Sequence, residues 1–87
     1  MTMYDRKVFG MRVLKARSKA GMSQERLADA MGCTAGTIRN YEIGKSMPTV
    51  EMLVQLAENL GVSVEYLATG KGGEAKWALN EKSSEEK

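Results

Sequence analysis

Gln24 to Ile43, QERLADAMGCTAGTIRNYEI, decides the fold, because its small and apolar residues fall where two helices crossing through a tight turn need them. Leu27 and Met31 are four residues apart and share one face of a first helix, and Ala28 beside them is small enough for a second helix to cross closely. Gly32 stands where the turn begins. A glycine there takes the left-handed backbone conformation that ends a helix, which a residue with a Cβ adopts only at some cost. Thr34 follows as the N-cap of the second helix. In that helix Ile38 and Tyr41, three apart, face the first helix, so Ala35, Gly36, Thr37, Arg39 and Asn40 are left to face outward.

Two short helices crossing at a glycine turn form a helix-turn-helix, the unit that lays its second helix in the major groove of DNA. The outward side of that helix is the surface expected to meet DNA. Tyr41 shares a face with Ile38 and is assigned to the core rather than to stacking on a base. Cys33 is read as a small turn residue, since a redox role would need a lowered pKa and an exposed sulfur.

Working outward, Phe9, Val13 and Ala16 recur at spacings of four and three and make residues 5–20 an amphipathic helix whose opposite face carries cations. Gly21 ends it, and Ser23 caps a second helix running to about Met31. The third runs from about Ala35 to Ile43 and is stopped by Gly44. Lys45-Ser46-Met47-Pro48 then forms a loop, because proline disfavours helix at the residue before it. Thr49 caps a fourth helix that keeps Leu53, Leu56, Ala57 and Leu60 at helical spacing until Gly61, and Ser63 caps a short fifth up to Gly70. The pattern predicts an all-α fold: a compact five-helix domain over residues 1–70 and a polar tail over 71–87, either disordered or a short extra helix.

The chain of 87 residues carries a net charge of +2, unevenly distributed. Arg6, Lys7, Arg12, Lys15, Arg17 and Lys19 place six cations in fourteen residues, whereas residues 71–87 hold four lysines and four glutamates. A local basic patch beside the motif suits phosphate neutralisation better than the mild overall charge suggests. One cysteine and no histidine exclude an internal disulfide, a Cys/His zinc site and a Cys/His nucleophilic pair. No glycine-rich phosphate loop and no paired carboxylates point to an enzyme, so neither catalysis nor a cofactor is expected. The absence of a signal-peptide pattern or an apolar run of membrane-spanning length makes the expected location cytoplasmic, with no membrane partner and no small-molecule ligand.

Residues 9–70 resemble the Cro/phage-repressor type of helix-turn-helix domain. The elements that carry the resemblance are Arg17 near the end of helix one, Ser23-Gln24-x-x-Leu27-Ala28, Tyr41-Glu42-x-Gly44-Lys45, Pro48, and Leu60-Gly61-Val62-Ser63. It implies a lambda-repressor-like domain that binds an inverted-repeat operator in double-stranded DNA as a homodimer, with the third helix in the major groove.

The resemblance also implies roles for particular residues. Gln24 matches a position where the side chain and the amides at a helix N-terminus approach a phosphate, and Thr34, Gly44 and Lys45 are expected at the sugar-phosphate backbone as well. Base reading falls to Ala35, Gly36, Thr37, Arg39 and Asn40. Ala35 and Gly36 depart from many relatives, which carry hydrogen-bonding side chains there. Alanine still meets a thymine methyl, and Gly36 lets the backbone come close to the groove, although a glycine within a helix costs about 1 kcal/mol relative to alanine. Asn40 is the leading base reader, paired with adenine, while Arg39 suits guanine and a phosphate equally well. Arg17 and Glu42 match a structural ion pair that ties helix one to the end of helix three.

A homodimer is expected to pair through helix five and its preceding loop, with Tyr66 and Leu67 in the interface, extended by Trp77. Trp77 has three open roles: folding back on its own core, joining the dimer contact, or marking where the tail docks a partner. The function expected is that of a transcriptional repressor occupying an operator. The alternative is a protein-interaction module of antitoxin or antirepressor type, which the apolar pair Ala35-Gly36 favours and the cations oppose.

Overall fold

Asp5 opens the chain's first helix: its carboxylate accepts hydrogen bonds from the amides of Lys7 at 2.8 Å and Val8 at 3.3 Å, two of the donors a helix start leaves unpaired. The computed structural model describes residues 5–72. Within them lie five helices: α1 (Arg6–Lys19), α2 (Gln24–Met31), α3 (Ala35–Glu42), α4 (Val50–Leu60) and α5 (Val64–Thr69). The hydroxyls of Ser23, Thr34, Thr49 and Ser63 cap α2 to α5, each accepting an amide three residues on. Gly32 has φ 70°, the left-handed turn expected between α2 and α3.

One core joins all five helices. Phe9, Val13 and Ala16 of α1 meet Leu27, Ala28 and Met31 of α2, Ile38 and Tyr41 of α3, Leu56, Ala57 and Leu60 of α4, and Leu67 of α5. The helix α3 packs chiefly on α1 and α2, and α5 on α1 and α4. The inner side of α3 is therefore held by two elements, while its outer side carries no comparable packing among the described residues.

Three details differ from the sequence expectation. The third helix ends at Glu42, and Ile43 is half exposed, because Gly44 behind it already turns the chain with φ 80°. Helix α1 is apolar on both sides: Val8, Met11 and Leu14 lie on its exposed surface between the cations. Leu67 is completely buried, so its side chain belongs to the core and not to an outer pairing surface; a six-residue helix must anchor itself with its one inward leucine. Tyr66 is half-buried and Val64 exposed on that helix. Trp77 and the tail assignment lie outside the described residues. No described helix is long and apolar enough to cross a membrane.

Candidate nucleic-acid interface

Glu42, at the end of α3, is the hub that fixes this helix in the fold. Its carboxylate accepts from Arg17 Nε at 2.5 Å and Nη2 at 3.2 Å, a two-bond fork that matches guanidinium to carboxylate. Gln24 Nε2 donates to the same carboxylate at 2.9 Å, and Arg17 Nη1 reaches the Met22 carbonyl at 2.8 Å. One buried carboxylate thus ties together α1, the α1–α2 turn, the start of α2 and the end of α3. The Glu42 hydrogen bond, the largest cause, raises the Arg17 pKa further, so the guanidinium stays charged. Burying such a pair is not in itself strongly stabilising, but removing one partner leaves an uncompensated charge.

The approach of α1 to α3 depends on Gly10. A Cβ built there would lie 2.3 Å from the Glu42 carbonyl oxygen and 2.5 Å from that of Tyr41. Only hydrogen fits, so α1 crosses the last turn of α3 in backbone contact. Gly10 was not singled out in the sequence, yet a glycine in the middle of an amphipathic helix is a signal for close packing, given its propensity cost.

The predicted base-reading residues come together on the opposite side of α3. Gly36 and Arg39 are exposed, and Ala35, Thr37 and Asn40 are half-buried. Thr37 shares a hydrogen bond with Thr34, their hydroxyl oxygens 3.1 Å apart, so these two residues shape the helix start jointly. The Asn40 carbonyl accepts from the amides of Lys45 at 2.9 Å and Ser46 at 3.2 Å, which closes the loop after α3 and holds exposed Lys45 near that helix. At Gly36 an added Cβ would meet nothing nearer than Thr34 Oγ1 at 3.7 Å.

Gln24 has an internal duty that the sequence did not reveal, and Thr34 has the capping duty that it did. One amide hydrogen of Gln24 is committed to Glu42, which leaves the other for an outside acceptor. Thr34 accepts the Thr37 amide at 3.3 Å as the cap of α3. Cys33 sits half-buried in the turn against the core, where burial raises its thiol pKa and holds it in the unreactive protonated form.

Two helices, a left-handed glycine turn and an outer helix side free of core contacts make up the helix-turn-helix arrangement, and comparison with known proteins agrees. The helix-turn-helix family HTH_3 matches over residues 13–67. This chain belongs to that family, the Cro/C1-type helix-turn-helix of DNA-binding transcription regulators. It is 42% identical over 74 residues to the SPbeta prophage-derived uncharacterized HTH-type transcriptional regulator YonR of Bacillus subtilis, covering 85% of this chain and 67% of the relative. With the cryptic phage CTXphi transcriptional repressor RstR of Vibrio cholerae it shares 30% identity over 70 residues, covering 80% and 57%. The chain therefore spans about three-fifths of the length of such relatives. Among solved structures, the restriction-modification controller protein C.AhdI from Aeromonas hydrophila superposes with a TM-score of 0.69 at 27% identity, over 76% of this chain and 96% of that one. The clp gene regulator ClgR from Corynebacterium glutamicum gives a TM-score of 0.66 at 26% identity, over 71% and 80%. Each of these relatives is described as a regulator, a repressor or a controller protein.

Proposed function

We propose that this protein is a transcriptional repressor that occupies an inverted-repeat operator as a homodimer, with α3 in the major groove. The observation that carries this reading is the contrast within α3: its inner side is held by Ile38, Tyr41 and Glu42, while Gly36 and Arg39 stand exposed on a rigidly held helix. Asn40 and Arg39 supply the two side chains able to form paired hydrogen bonds to adenine and guanine, each worth about 1 to 3 kcal/mol of discrimination. Thr37 and the Ala35 methyl add smaller contacts, and Gly36 admits the groove edge. Gln24, Thr34, Gly44 and Lys45 flank α3 as contacts to the sugar-phosphate backbone. A repressor role is in keeping with the similarity to RstR, a phage transcriptional repressor, and a regulatory role with C.AhdI, a controller protein. Homodimerisation follows from size, since one small domain buries little surface on DNA and two-fold pairing doubles it. With Leu67 in the core, the pairing surface on α5 falls to Val64 and Tyr66.

Selection of bound sequences from a random duplex pool at near-physiological salt, with the sedimentation mass of the protein measured alongside, tests this function. The expected product is an inverted repeat with half-sites about one helical turn apart, bound by a dimer. A pool that fails to enrich, with only weak salt-sensitive binding left, would transfer the assignment to a protein-interaction module.

A further inference from the structure

The sequence groups six cations on α1, and the structure sorts them by partner. Arg17 is committed to Glu42. Arg12 donates Nη1 to the Leu67 carbonyl at 3.2 Å and lies against Gly70, so it closes the C-terminal end of α5. Lys15 and Lys19 line a cavity of about 320 Å³ with Leu60, Val62 and Tyr66, where α1 meets the α4–α5 junction. Arg6 and Lys7 lie elsewhere, at the loop that leaves α3. Arg6 Nη1 is 3.5 Å from the Lys45 carbonyl oxygen, and Lys7 packs on Gly44, where an added Cβ would meet Lys7 Cγ at 3.0 Å. Both are exposed, as is Lys45. Asp5, the acidic group beside them, has its carboxylate bonded to the first amides of α1. Among the described residues, three cations thus face solvent at one junction beside the capped carboxylate of Asp5.

We propose that Arg6 and Lys7 bind the DNA phosphates next to those contacted by Gly44 and Lys45, which makes the first turn of α1 a backbone-binding surface outside the helix-turn-helix. This rests on the DNA-binding reading of α3 and extends it. The duplex carries a phosphate about every 3.4 Å of axis along each strand, so cations held side by side at the α1–α3 junction meet successive phosphates of one strand. The Gly44 conformation and the Lys7 stem packed on it set the register between α1 and the loop. Such contacts are blind to sequence and appear in the salt dependence of binding.

The test is the slope of log affinity against log salt for a mixed-sequence duplex, measured for the intact chain and for variants. Arg6→Gln with Lys7→Gln is expected to lower the magnitude of the slope by about 2, near 0.9 for each lost phosphate contact, and Lys45→Ala by about 1. Lys15→Gln with Lys19→Gln, on the cavity side, is the control and leaves the slope as it was. The exchange Arg6→Lys with Lys7→Arg keeps the charges and is expected to keep the slope, which separates charge from folding. An unchanged slope for the Arg6/Lys7 glutamine variant, with Lys45→Ala still flattening it, overturns the inference. Equal flattening by the Lys15/Lys19 control also overturns it, because the effect is then diffuse charge. An unchanged slope in all of the charge-removing variants overturns the backbone contact at Lys45 itself, and this inference with it.

Discussion

The two sides of α3 are built on different rules. On the inner side every residue has an internal partner: Ile38 and Tyr41 fill the core, Glu42 holds Arg17 and Gln24, and Gly10 of α1 lies directly on the carbonyls of Tyr41 and Glu42. On the outer side Gly36 and Arg39 stand in solvent. The contrast is sharpest between the two helical glycines. Gly10 is required by the fold, since any side chain collides with backbone, whereas at Gly36 there is room for a methyl and no internal reason to omit it. Under the proposed function, the missing methyl at Gly36 leaves room for a groove edge, at a cost in helix stability.

The largest effect expected on the inner side is from Arg17→Ala. It leaves the Glu42 carboxylate buried and unpaired and lowers stability by about 3 to 5 kcal/mol, read from chemical denaturation. A loss under about 1 kcal/mol would mean that Gln24 alone satisfies the carboxylate. Next is Gly10→Ala, which forces α1 and α3 apart at a cost of about 1 to 3 kcal/mol and weakens DNA binding beyond what unfolding explains, because α3 is displaced. On the outer side Asn40→Ala is expected to leave stability nearly unchanged and to remove about 1 to 3 kcal/mol of discrimination at one base pair, measured on operator variants. Gly36→Ala should move the two properties in opposite directions, stabilising the fold by up to about 1 kcal/mol while weakening DNA binding. If Gly36→Ala bound DNA as well as the natural sequence does, the distinction between the two glycines would lose its functional half.

The smallest effect is a pH dependence of the inner side. Burial raises the thiol of Cys33, and burial followed by the charge of Cys33 raises the phenol of Tyr41. For both, the folded state holds its proton more tightly than the unfolded chain. Their contribution is therefore complete below the unfolded pKa values and lost as pH rises through the folded ones. Melting temperature is expected to fall more steeply in the alkaline range for the natural sequence than for the variant Cys33→Ser with Tyr41→Phe.

Much of this was legible from local pattern. Thr34, Ser23 and Gly32 could be placed because capping and left-handed turns act within three or four residues, and Tyr41 could be assigned to the core because it shares a helix face with Ile38. The five-element resemblance supplied the Arg17–Glu42 partnership. Leu67 was misplaced because an apolar residue on a short helix shows the same pattern whether it anchors the core or pairs with another surface. The duties of Gln24 and Arg12 were hidden because each partner lies far along the chain, the Leu67 carbonyl 55 residues away.

Five helices, their caps and turns, the core side of α3 and the residues left outside it can be read along the chain, since these depend on neighbours at fixed short spacings. Why Gly10 is glycine, and which cation serves which purpose, emerges only when the helices pack. Six similar charges on one helix are alike in sequence, and they become different when folding brings a carboxylate to one, a helix end to another, a cavity to two, and the Gly44-Lys45 loop to the remaining pair.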